Sequence, residues 1–137
     1  MTKIEITLDK EKYRPGDKVR ARIELIVTKH TKINKFDARI FGIRSYIKGL
    51  SYRRSGAGPH SPHSVRELIF ENRRRFIYDE ELDECEKFFY LDAKLPNIDP
   101  IKMKKKGIDI FYHVEAYADI DWALDVRAEK KIEVSVD

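Results

Sequence analysis

The stretch Lys18-Val19-Arg20-Ala21-Arg22-Ile23-Glu24-Leu25-Ile26-Val27-Thr28 decides how the rest of the chain is read. Val19, Ala21, Ile23, Leu25 and Val27 fall on one side of an extended backbone, and Lys18, Arg20, Arg22, Glu24 and Thr28 on the other. A side-chain period of two belongs to a strand with one buried face. Ile26 is the one misfit. Just upstream, Tyr13-Arg14-Pro15-Gly16-Asp17 offers proline to preset the first turn angle and glycine to accept a positive φ at the second, which predicts a type II turn. Before that turn the alternation is already present, with Ile4, Ile6 and Leu8 facing one way and Lys3, Glu5, Thr7 and Asp9 the other.

Downstream, Lys35 to Ile47 predicts a central strand. Phe36, Ala38, Ile40 and Gly42 share one face, while Phe41, Ile43 and Ile47 make the opposite face apolar too, so cover on both sides is expected. Residues 48–64 mix Gly49, Gly56, Gly58, Pro59 and Pro62 with serines and arginines and read as a long loop, either functional or disordered. Val65 to Tyr78 reads as a strand whose alternation weakens at Arg73, Arg74 and Arg75. In Asp79 to Glu86 the spacing of Tyr78, Leu82, Cys85 and Phe89 also fits a short helical turn. Phe89, Leu91, Ala93 and Leu95 alternate as a strand that Pro96 ends, since proline cannot donate to the ladder. A second loop, with Pro100 and the basic run Lys102 to Gly107, leads to two closing strands. The first carries Ile108, Ile110, Tyr112, Val114, Ala116 and Ala118, the second Ile132, Val134 and Val136, with Trp122 and Leu124 between them. Strands punctuated by turns, with no long amphipathic helix, predict an all-β, immunoglobulin-like antiparallel sandwich.

The chain's 137 residues suit one domain spanning 1–137, since single cores cluster at roughly 100–150 residues. No run approaches the roughly 18 apolar residues that cross a bilayer, and the first residues lack a signal-peptide core, so a soluble cytoplasmic protein is expected. The lone Cys85 fits a reducing compartment. Charged residues at 38%, no glutamine, and asparagine only at Asn34, Asn72 and Asn97 suggest a thermophilic source. The net charge of +4 is mild and both signs are interleaved, which argues weakly for nucleic acid.

Four pieces in order resemble the arrestin clan, which includes visual, β- and α-arrestins, the arrestin-like retromer subunit, and sporulation-control-type relatives in bacteria and archaea. They are the Tyr13–Asp17 turn with its following strand; Ala38-Arg39-Ile40-Phe41-Gly42; Phe89-Tyr90-Leu91-Asp92-Ala93-Lys94-Leu95-Pro96; and Ile110-Phe111-Tyr112-His113-Val114-Glu115-Ala116, closed by Ile132-Glu133-Val134-Ser135-Val136. The resemblance covers one lobe, whereas typical relatives carry two in tandem. It implies a scaffold or adaptor that grips other proteins, often at membrane-associated machinery, with no catalytic residues, no cofactor and no small-molecule substrate.

The residues themselves offer these candidate sites. His60 and His63 could converge on zinc, but structural zinc wants four ligands and Cys85 is the only thiol; solvated loop histidines are the simpler reading, and His30 and His113 have no second ligand nearby in sequence. Cys85 lies between Glu84 and Glu86, which oppose a thiolate, and so reads as a core or turn thiol. No nucleophile elbow, phosphate-cradling loop or metalloprotease motif occurs. Tyr46, Leu50, Tyr52, Arg53 and Arg54 form a candidate protein-binding loop, because tyrosine and arginine bring area and directed hydrogen bonds. Phe111 and Tyr117, with His113 and Glu115 on the same outer strand face, suggest cover by a partner or a dimer mate. Arg73, Arg74, Arg75, Lys102, Lys104, Lys105 and Lys106, with Arg53 and Arg54, would attract nucleic acid or an anionic membrane if gathered at one end. Strand addition at an exposed sheet edge remains a further option.

Overall fold

The computed structural model describes residues 1–48 and 63–136. Its elements are β1 (Thr2–Leu8), β2 (Lys18–Val27), β3 (Thr31–Lys48), β4 (His63–Leu82), β5 (Cys85–Lys94), α1 (Pro100–Lys105), β6 (Asp109–Ile120) and β7 (Val126–Ile132). Among the described residues the strands form two sheets, ordered β1-β2-β5 and β4-β3-β6-β7, with every neighbouring pair antiparallel. The sandwich expected from alternation is therefore the fold. No helix among the described residues is long and apolar enough to cross a membrane.

The alternating stretch in β2 supplies the floor of the core, its five inward side chains all fully buried. Ile33, Phe36, Ala38 and Ile40 of β3 and Val114, Ala116 and Ala118 of β6 close over it. β3 is central, as read from its two apolar faces, but the cover on its outer side is partial. Phe41 is buried and Ile43 half-buried, while Ile47 is exposed. Gly42 lets a ring lie flat on the strand: a Cβ there would stand 2.7 Å from Cε1 of the buried Tyr112.

Bulges explain the weak alternation of β4. Phe36 pairs with Ile77 and Asp37 with Arg75, which leaves Phe76 as an extra residue. Its ring joins Phe36 of β3 (6.0 Å between centroids) and Phe89 of β5 (4.8 Å), so the irregularity stitches the two sheets together.

Three expectations are corrected. Residues 79–86 are not helical: β4 runs to Leu82, Asp83 and Glu84 make a turn, and Cys85 opens β5. The helical spacing arose because Tyr78 and Leu82 lie on one strand of a hairpin and Cys85 and Phe89 on the other. The basic run is not loop alone but holds α1. Asp99 caps it, accepting from the N–H groups of Ile101 (2.9 Å) and Lys102 (3.3 Å), Pro100 fits its first turn, and Gly107 at φ 79 stops it. The final strand, expected at Ile132 to Val136, is Val126–Ile132, paired with β6 from Ala118↔Val126 to Tyr112↔Ile132. Beyond it the chain crosses to the β1–β2 loop, where Val134 bridges Tyr13 in parallel.

The type II turn forms as expected, with Asp17 N–H donating to Arg14 C=O at 3.0 Å and Gly16 at φ 84. Beside it, buried Tyr13 fastens the loop: its hydroxyl donates to Asp9 Oδ1 (2.6 Å) and accepts from Lys10 N–H (3.0 Å). Burial, and after it the bond to the Asp9 carboxylate, pushes the Tyr13 phenol up to about 12. An unfolded tyrosine titrates near 10. This linkage therefore stabilises the fold fully below about pH 10 and is lost as pH rises from there through about 12. In urea titrations across that window, the wild type should lose stability with rising pH, whereas Tyr13→Phe should start about 1.5–3 kcal/mol lower and show a flatter slope.

Candidate functional site

Alternation sends every second side chain of the β4-β3-β6-β7 sheet away from the core, and register lines these side chains up across the strands. One row reads Arg75, Asp37, Tyr117, Arg127; the next Arg73, Arg39, Glu115, Glu129; the third Glu71, Phe41, His113, Lys131. In the second row Arg73 faces Arg39 and Glu115 faces Glu129, like-charge pairs that would be destabilising if they had no other partners. One direct and one diagonal bond from Arg39 resolve this. Arg39 donates from Nη1 to Glu71 (2.8 Å) and from Nε to Glu115 (3.3 Å). Glu71 also faces Arg73 at 3.7 Å, Glu115 accepts from Arg127 at 3.4 Å, and Glu129 sits 2.9 Å from His113.

Aromatic rings hold the cations from below. The Arg39 guanidinium lies 3.9 Å from the centroid of Phe41, which in turn stacks on His113 at 5.6 Å. Arg127 and Lys35 lie 5.1 and 5.8 Å from the Tyr117 ring. Asp37 receives Arg75 through two bonds, at 2.8 and 3.2 Å. Tyr117 donates its hydroxyl to Asp125 at 2.6 Å, and that bond raises the phenol above its usual range. Of these groups, Lys35, Asp37, Arg39, Arg73, Glu115, Tyr117 and Arg127 line a shallow depression of about 240 Å³. Beyond the third row Leu68, Ile43 and Phe111 form an apolar row. The arrangement can present rigid guanidinium groups and a phenol to another macromolecule. Residues 1–136 of the chain match the family model of the C-terminal domain of arrestin (or S-antigen).

The chain belongs to the arrestin family. Among solved structures, this arrestin-family sandwich is similar to Spo0M, a sporulation control protein from Bacillus subtilis, with a TM-score of 0.62 and 20% identity. That superposition covers 97% of this chain and 49% of Spo0M, so the chain spans about half the length of that neighbour. The likeness is one of fold. No curated protein matches the sequence.

Of the residues singled out beforehand, Arg73, Arg75, Phe111 and Tyr117 meet on this arrestin-family face. Arg74 lies opposite the core residue Ala38, over the Phe76 ring at 5.4 Å, and so belongs to the other side of the sheet. Tyr46 stands apart with Arg44: its hydroxyl donates to Glu67 at 2.6 Å, and Arg44 Nε donates to the same carboxylate at 2.7 Å. Lys102, Lys104, Lys105 and Lys106 are exposed on α1 and its cap. The single basic end is thus not assembled among the described residues, because Arg73 and Arg75 sit mid-sheet with carboxylate partners. Leu50, Tyr52, Arg53, Arg54 and His60 lie outside the described residues; His63 opens β4.

Two features were missed. Arg39 enters the sequence reading only within the stretch Ala38-Arg39-Ile40-Phe41-Gly42, with no role of its own. Phe88 and Tyr90 form a second exposed pair on the outside of the other sheet, with Arg22 and Arg20 at 5.4 and 4.7 Å from their rings. The alternation that placed Phe89 inward already required both neighbours to face outward.

Proposed function

We propose that this single arrestin-family lobe, residues 1–137, is a non-catalytic cytoplasmic adaptor that binds partner proteins on the outer face of the β4-β3-β6-β7 sheet. The observation that carries this reading is Arg39, held by Glu71 and Glu115 and seated on Phe41. A side chain fixed before binding loses little entropy on contact, and arginine and tyrosine dominate binding hot spots. Arg73, Arg127 and Tyr117 around it give the face cationic and aromatic character. A partner carrying carboxylates beside an apolar side chain complements it. The dense ion pairing also fits a protein that works at high temperature.

The competing class, nucleic acid or anionic membrane, would rely on the α1 lysines. Capture from the native source at two salt concentrations, with the wild type and with Lys104→Glu/Lys105→Glu/Lys106→Glu, separates the two. The adaptor reading expects the same proteins on both baits, retained as salt rises. Recovery of nucleic acid or lipid that the charge reversal abolishes, with a salt slope of about 0.9 per neutralised phosphate on duplex DNA, would overturn it.

A further inference from the structure

The β6–β7 connection holds a residue in a conformation that its type disfavours. Trp122 sits at φ 59, in the left-handed region, where glycine or asparagine is at ease and a bulky side chain is strained. Its side chain is 98% exposed, so no packing offsets that cost. A backbone outlier of this kind persists only where its surroundings hold it.

Two anchors do so. On the β6 side, Asp121 N–H donates to Lys32 C=O at 3.0 Å, next to the paired residues Ile33 and Ile120. On the β7 side the anchor is a side chain: Asp125 Oδ2 accepts from the Tyr117 hydroxyl at 2.6 Å, one residue before β7 begins at Val126. Trp122, Ala123 and Leu124 are bracketed between them, so Trp122 cannot turn to a negative φ without moving one anchor. The backbone anchor is backed by the ladder beside it. The side-chain anchor is the one that yields.

Tyr117 also belongs to the outer face of the four-stranded sheet. Its ring lies 5.1 Å from the Arg127 guanidinium and 5.8 Å from the Lys35 ammonium. Arg127 in turn reaches Glu115 at 3.4 Å, the carboxylate that also accepts from Arg39. One side chain thus closes the hairpin with its hydroxyl and seats cations with its ring.

From this shared residue we propose that the β6–β7 hairpin is a strained latch on the four-stranded face. Closed, the Tyr117–Asp125 bond holds Trp122 in its left-handed state and fixes the Tyr117 ring beside Arg127. Open, Trp122 relaxes to a negative φ, Asp125 moves away, and Tyr117 and Arg127 lose their fixed positions. One hydrogen bond opposes one strained residue, and the two are of similar size, so the states lie close in energy. The latch regulates binding only if this face is the binding surface, as proposed above; its opening and closing are properties of the free chain.

Melting temperatures of the wild type, Trp122→Gly, Asp125→Ala and the double variant, with NMR relaxation of the Arg127 Nε–H, test this in the absence of any partner. Glycine at 122 should raise the melting temperature of the wild type by about 2–4 °C, because relief of the left-handed strain exceeds the added freedom of the unfolded chain. In the Asp125→Ala background the same change should give no gain or a small drop, since the strain has already been released and only the unfolded-state cost remains. Asp125→Ala should also lower the order parameter of the Arg127 Nε–H. Equal gains from glycine in both backgrounds, or a drop in the wild type, would overturn the latch. So would an Arg127 side chain that stays as ordered without Asp125 as with it. Partner protection mapped to another face would instead remove the binding reading and leave these values unchanged.

Discussion

Replacing Phe36 by alanine should destabilise the fold by about 3–5 kcal/mol, the range seen when a fully buried aromatic side chain is truncated. Phe36 has no solvent exposure, lies on the central strand, and contacts rings from β4 and β5 at 6.0 and 5.4 Å. The loss combines burial, cavity and aromatic contacts across the two sheets. For a chain of this length a 3–5 kcal/mol loss lowers the melting temperature by about 10–17 °C. Phe88→Ala is the control, because its ring is 48% exposed on the opposite surface; its change should stay within about 1 kcal/mol. Differential scanning calorimetry distinguishes the two, and equal losses would contradict the placement of the core.

Replacing Arg39 by methionine should weaken partner binding about 30-fold, the equivalent of the roughly 2 kcal/mol that defines a hot spot. Methionine keeps an unbranched apolar stem over Phe41 but removes the donors that reach Glu71 and Glu115. Those carboxylates retain Arg73 and Arg127 as partners. Because the Arg39 side chain is partly solvated, the accompanying loss of stability should be about 1 kcal/mol, well below that for a fully buried ion pair. Titration calorimetry with a captured partner and a thermal melt separate binding from folding. If affinity is unchanged, the face is structural only.

Residues with one buried face were legible from the sequence. Val19 to Val27, Phe36 to Ile40 and Tyr112 to Ala118 alternate because the core accepts only every second side chain, and burial follows the pattern. β7 was not legible at its true position: as an edge strand it turns Arg127, Glu129 and Lys131 outward, and Ile132 is its one fully buried residue. α1 had a readable start at Asp99-Pro100 and a readable stop at Gly107, but its six residues bury nothing, so no apolar period marked it. The site was half legible. An apolar pair on an outer face, Phe111 and Tyr117, can be read from one strand alone. The role of Arg39 cannot, since its partners are 32 and 76 residues away and only the register of three strands brings them together.

Hydroxyl-radical footprinting of the chain with and without a captured partner tests the proposed binding face most directly. Protection should appear at Phe111, His113 and Tyr117 and leave Phe88 and Tyr90 on the other sheet as reactive as before. Protection of Phe88 and Tyr90 with Tyr117 unchanged would contradict it.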